Sequence, residues 1–220
     1  FFLTEFSKIS VAGRSIVAVD KNGVVNLPIS SIHTLLIGRG SSITSDAAAL
    51  CAKHNCYIAF VTGGANVQSI WHCGRYQNPK KLIKQAEVFN SPSLRLESAK
   101  RLLINRLETV SDEIHFNQEM MSKINDCESV ASIMGLEGYF TKVIYAHFSS
   151  LAGIKFKRNN ANATDKVNTD LSILSNVLYG FVSSTICALG YSPSLGIIHG
   201  QTRRGGLAFD IADVIKPRLA

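Results

Sequence analysis

The chain has 220 residues, 46% of them hydrophobic and 18% charged, which excludes a disordered polyelectrolyte and leaves enough apolar side chain for one large domain or two small ones. Lys and Arg number 23 against 16 Asp and Glu, a net charge of +7, gathered at Lys80–Lys81–Lys84, Lys155–Lys157–Arg158 and Arg203–Arg204. Three separate basic patches suit an extended polyanion, although ordinary solvated surface is also compatible with them. No apolar run approaches the roughly 18 residues that cross a bilayer, so no membrane partner is expected. The five cysteines are odd in number and lack a CxxC pair; Cys51, His54, Cys56, His72 and Cys73 match no common zinc spacing, and a reducing, cytoplasmic location is expected.

Residues 1–75 read as a β-rich unit. Arg14–Val19 and Val24–Leu27 flank Asn22-Gly23, a hairpin signal because both residues tolerate positive φ. His33–Ile37, Tyr57–Val61 and Val67–Trp71 are further strands. A short helix lies between the first two of these, capped by Thr44 or Ser45 and ending near Asn55. Pro79, Pro92, Asn78 and Asn90 mark residues 76–92 as a linker. From Ser93 the apolar period becomes helical, and residues 93–220 read as a helical unit with long helices near 128–151 and 166–189. Along the second of these, Val167, Leu171, Leu174, Leu178 and Val182 form an apolar stripe. Asn168, Ser172, Ser175, Tyr179 and Ser183 form a short-chained polar stripe suited to packing on a site or a backbone. Gly38 and Gly40 look like a dinucleotide loop, but no third glycine or acidic ribose ligand follows.

Two places concentrate chemistry. On the helix around Gly135-Leu136-Glu137-Gly138, Glu137 falls on the stripe of Ile133, Phe140, Ile144, Phe148 and Leu151. A carboxylate there needs an Arg or Lys, a proton or a metal. Near the C-terminus, His199 closes an apolar run, Arg203 and Arg204 lie among glycines, and Asp210 and Asp213 follow at i, i+3 on one helix face. His199 on its own reads more readily as a core histidine bonded to a carbonyl than as a ligand, and the neighbouring arginines shift that balance. Glu137, His199 and the aspartates together would offer oxygen and nitrogen ligands suited to Mg²⁺ or Mn²⁺, with the arginines as phosphate clamps.

These blocks resemble the CRISPR-associated integrase family. The likeness rests on Leu136-Glu137-Gly138, on Asp165–Asn168 leading to Val177–Gly180, and on Gly190–Gly200 continuing through Thr202–Lys216, and the last block looks closest to the I-F branch. The resemblance implies an α+β protein, with an N-terminal β-sandwich-like domain and a C-terminal all-helical catalytic domain. It implies Glu137, His199 and Asp213 as metal ligands, Asp210 as an accessory catalytic carboxylate and Tyr179 lining the site. Asn168, Lys155, Lys157, Arg158, Arg203 and Arg204 are expected to contact DNA. It further implies a homodimer acting on double-stranded DNA, both prespacer and repeat, with a small adaptation partner subunit. The chain ends seven residues after Asp213, where family members continue with more helix, as in a compact member or a fragment. The rival readings are a general metal-dependent nuclease and a non-catalytic DNA-binding scaffold.

Overall fold

The structure is a computed structural model and describes residues 2–62, 66–71, 78–159, 165–200 and 205–219. Strands β1 (Phe2–Thr4), β5 (Thr34–Ile37), β7 (Tyr57–Thr62) and β8 (Asn66–Trp71) form one sheet in the order β1-β5-β7-β8, parallel except for β7–β8. Strands β2 (Lys8–Ala12), β3 (Ser15–Asp20), β4 (Gly23–Pro28) and β6 (Ser42–Ile43) form the other, ordered β4-β3-β2-β6. The Asn22-Gly23 turn joins β3 to β4, where Asp20 Oδ1 accepts from the N–H groups of Asn22 at 2.7 Å and Gly23 at 3.1 Å. Helix α1 (Ser45–Lys53) begins at Thr44, whose hydroxyl accepts from the Ala47 N–H at 3.3 Å. Just beyond its end, Asn55 takes φ +54°, a conformation Asn tolerates better than most residues. Ile9 and Ile16 from one sheet, Leu35, Ile37 and Ile58 from the other, and Ala47 and Cys51 from α1 share one buried core. The two sheets and α1 thus enclose a common apolar layer.

Helices follow: α2 (Pro79–Asn90), α3 (Pro92–Glu108), α4 (Gln118–Asn125), α5 (Val130–Leu151), α6 (Lys166–Ala188) and α7 (Gly206–Ile215), then a 3-10 turn at Lys216–Leu219. The linker expected at 76–92 is therefore corrected: most of it is α2. Its prolines start helices instead of breaking them. Pro79 and Pro92 occupy first helical positions, after the caps Asn78 and Ser91, where a missing N–H costs nothing. Gln85 of α2 is buried and donates to Ser192 O at 2.7 Å while accepting from the Ser192 N–H at 2.9 Å. This helix therefore fastens the segment that precedes His199.

The faces of α6 also differ from expectation. Val167 and Leu174 of the apolar stripe are exposed, whereas Asn168 and Ser175 of the polar stripe are buried. Buried hydroxyls are tolerable here because they donate to carbonyls of the preceding turn: Ser175 to Leu171 O at 2.6 Å and Ser184 to Phe181 O at 2.8 Å. By length and composition α6 is apolar enough to cross a membrane, contrary to the sequence reading. It packs against α7 and β8. Through it the two halves meet: the Ser184 and Thr34 hydroxyls lie 3.2 Å apart in a buried contact, and Leu36, Ala59 and Val61 are buried on the sheet. β5 is consequently covered on both faces, which explains its continuous apolar run.

Candidate functional site

The site is assembled where Gly190–Gly200 crosses the start of α7. Close approach dictates Gly196: a Cβ there would lie 2.6 Å from the Gly206 carbonyl carbon, whereas one on Gly200 would meet the Arg95 guanidinium, the movable end of a side chain. Arg95 Nε donates to Ile197 O at 2.7 Å, so α3 grips the same strand of chain.

Asp210, 2% exposed, faces this segment from α7. Its Oδ2 accepts from the N–H groups of Ile197 and Ile198, and its Oδ1 accepts from the His199 N–H at 3.0 Å and lies 2.8 Å from His199 Nδ1. Four contacts engage both carboxylate oxygens, so Asp210 fixes the loop and the imidazole. With Nδ1 donating to a carboxylate, Nε2 becomes the basic nitrogen of the neutral ring. The Asp210 hydrogen bond raises the His199 pKa; burial opposes the rise, and the charges of Asp210, Asp213 and Glu137 add to it.

Glu137 on α5 pairs through Oε1 with Arg106 Nη1. The pairing required of a carboxylate on that stripe is thus met by an arginine 31 residues earlier, whose own burial the sequence pattern did not reveal. Asp213, one turn beyond Asp210, lies 3.2 Å from Lys216 Nζ, which also donates to the Tyr179 hydroxyl at 2.8 Å. Burial pulls the Lys216 pKa down, but the Asp213 charge and Tyr179 hold it above its ordinary value. Tyr179 is fixed in turn by an edge contact to Phe209, with centroids 4.5 Å apart. Sequence reading missed Arg106 and Lys216; the only available signal was basic residues at helical spacing from apolar neighbours.

Glu137, His199, Asp210 and Asp213 line a single small cavity together with Arg106, Leu102, Leu103, Ile198 and Val214. Elements far apart in sequence thus contribute to one cavity. Among the described residues, no three His, Cys, Asp or Glu side chains are already grouped as a cation cage; Glu137 and Asp213 each rest on an internal cation. The donor chemistry nonetheless fits a hard divalent ion, with two carboxylates and an imidazole oriented through its other nitrogen. Asp210, its oxygens engaged by the loop, belongs to the supporting structure.

The expected DNA contacts divide. Lys155 and Lys157 are exposed. Asn168 is buried; it accepts from the Asn159 N–H at 2.8 Å and from Arg158 Nη1 at 3.0 Å, and donates to Lys157 O at 3.1 Å. Arg158 also reaches the Ser172 hydroxyl. In this structure these two residues brace residues 157–159 against α6. Arg203 and Arg204 lie outside the described residues, as do His72 and Cys73. Cys51 and Cys56 are buried in the β-rich core.

A two-sheet unit joined to a helical unit that carries a carboxylate–histidine cavity defines the class. The chain belongs to the CRISPR associated protein Cas1 family, whose match spans residues 1–220. It is 29% identical over 202 residues to CRISPR-associated endonuclease Cas1 2 of Thermus thermophilus, covering 90% of this chain and 58% of that protein. It is 27% identical over 216 residues to CRISPR-associated endonuclease Cas1 3 of Methanospirillum hungatei, covering 95% and 67%. The chain thus spans 58% of the length of the first relative and 67% of the second. The fold matches a Cas1 protein from Thermotoga maritima with a TM-score of 0.84 at 19% identity, over 98% of this chain and 74% of that one. It matches the TtCas1–DNA complex with a TM-score of 0.74 at 26% identity, over 99% and 74%. A Cas6-RT-Cas1–Cas2 complex shares the fold with a TM-score of 0.74 at 15% identity, over 98% of this chain and 26% of that one.

Proposed function

We propose that the chain is a metal-dependent DNA integrase that inserts short DNA fragments into a CRISPR repeat array. The observation that carries this reading is the shared cavity of Glu137, His199 and Asp213, with His199 oriented by Asp210. Glu137, His199 and Asp213 would hold Mg²⁺ or Mn²⁺, which when bound supplies charge stabilisation at the reacting phosphate. In the transfer, a DNA 3′-hydroxyl oxygen bonds to phosphorus as the bond to the neighbouring nucleotide's oxygen breaks. The attacking hydroxyl gives up a proton, and the leaving oxygen takes one up. Asp210 keeps the imidazole in place, Lys216 and Tyr179 brace Asp213, and the apolar wall of Leu102, Leu103 and Val214 limits water. Lys155, Lys157, Lys80 and Lys84 are exposed bases available to phosphates, and Arg203 and Arg204 are proposed as further phosphate clamps.

The relatives are named endonucleases, and with water in place of the 3′-hydroxyl the same site would nick DNA. A homodimer is part of the proposal, since joining at two repeat ends needs two sites. The edge strand β4, exposing Val24 and Val25, is the surface proposed for it. A small Cas2-type partner, a cytoplasmic location and the I-F likeness of the Gly190–Lys216 block complete the reading. The test is incubation with Mn²⁺, a short duplex and a supercoiled repeat plasmid. Covalently joined products are expected; nicking without joining would favour the nuclease, and neither product would favour the scaffold.

A further inference from the structure

We propose that Arg106 is a positioning residue that presents Glu137 to a divalent cation. The proposal rests on the reading of Glu137 as a metal ligand. Arg106 is 5% exposed, on α3 between the buried Leu103 and Leu107. A guanidinium in such surroundings must be compensated, and two residues one turn apart on α5 do this. Nη1 donates to Glu137 Oε1, and Nη2 donates to the Thr141 hydroxyl at 2.8 Å. The Thr141 hydroxyl spends its own hydrogen on Glu137 O at 2.7 Å, which leaves its oxygen to accept from the arginine. The planar fork therefore spans a helical turn and restricts the Glu137 side chain to a narrow range of rotamers.

The grip is one-sided. Nε of Arg106 is buried without a hydrogen-bond partner among the described residues, so the guanidinium does not close a two-point pair on the carboxylate. Only Oε1 is held, and among the described residues no hydrogen bond engages Oε2. Glu137 lines the cavity it shares with His199 and Asp213. One oxygen is thus fixed by protein and the other remains for a ligand, the arrangement that orients a metal-binding carboxylate. The positive charge of Arg106 acts against a cation, however, so charge and orientation have opposite signs and can be separated.

Arg106→Lys separates them. Lysine keeps the charge but is a single donor point and cannot bridge Glu137 and Thr141. Mn²⁺ binding is measured on the full chain after metal stripping, from loss of the free-ion electron paramagnetic resonance signal, with thermal unfolding confirming the fold. Arg106→Lys should weaken Mn²⁺ affinity by about 10–100-fold, the usual effect of losing such a support. Thr141→Val, which removes one tether and no charge, should shift affinity the same way by a smaller factor, and it decides alone if the lysine variant does not fold. Glu137→Gln is the control. If Glu137→Gln abolishes binding while Arg106→Lys and Thr141→Val bind like the parent, the positioning role is wrong and the ligand reading survives. If Glu137→Gln binds Mn²⁺ normally, the ligand reading fails and this inference fails with it.

Discussion

Asp210→Ala should be among the most destabilising single changes in the helical half. The carboxylate accepts from three backbone N–H groups, of Ile197, Ile198 and His199, and contacts the His199 ring. All of these lie in a segment where Ile197, Ile198 and His199 are each under 9% exposed. Removing the acceptor leaves three buried donors unmet, each worth about 1–3 kcal/mol. Partial entry of water reduces the sum to about 4 kcal/mol. For a chain of this length that lowers the midpoint of thermal unfolding by about 8–16 °C. Asp210→Asn keeps one acceptor oxygen and turns an amide NH2 toward the other donors, so about half the loss is expected. Urea and thermal unfolding followed by circular dichroism measure both. An alanine variant within 1 kcal/mol of the parent would refute the idea that Asp210 holds the loop.

Gly196→Ala places a Cβ 2.6 Å from the Gly206 backbone, and backbone cannot yield as a flexible side chain does; a loss of about 2–4 kcal/mol in urea unfolding is expected, and native stability would contradict the packing described. Asp165 caps α6 by accepting from the Asn168 N–H at 2.8 Å, and the Asn168 hydrogen bonds hold its carboxyl below the usual 3.8. The depressed value means its stabilisation is complete above the unfolded pKa and is lost as pH falls through the folded one. The stability gap between parent and Asp165→Ala should therefore shrink with acidification; a gap that widens would be inconsistent. Duplex DNA affinity should fall steeply between low and moderate salt, because Lys80, Lys84, Lys155 and Lys157 are exposed and release counterions on binding. A flat salt response in a filter or anisotropy titration would speak against phosphate contacts.

Local signals carried much of the fold. Asn22-Gly23, the Thr44 cap and the two apolar strands β5 and β7 are short-range features, and the structure has each of them. The signals failed where one residue type serves two purposes. Pro79 and Pro92 read as breakers because a proline opening a helix looks the same as one ending it until the preceding cap is recognised. The inner face of α6 was misjudged because serine hydroxyls satisfied within their own helix bury like apolar groups. Glu137, His199 and Asp213 were legible as candidates, since a carboxylate on an apolar stripe and a His–Asp block are unusual. The division of labour between Asp213 as ligand and Asp210 as accessory came from the resemblance and not from spacing, since i, i+3 is silent on which one meets the Ile197–His199 backbone. The Arg106 pairing was equally invisible, being a contact between helices with no local pattern.

The central claim is that Asp213 serves the chemistry, while the exposed bases serve binding. Asp213→Ala is compared with the parent at saturating duplex DNA, with Mg²⁺ and with Mn²⁺, scoring joined and nicked products alongside DNA affinity. Loss of one of three proposed ligands should remove joining and nicking together, while affinity stays level or rises slightly as a negative charge is lost near phosphate. Near-parental joining by Asp213→Ala would contradict the account.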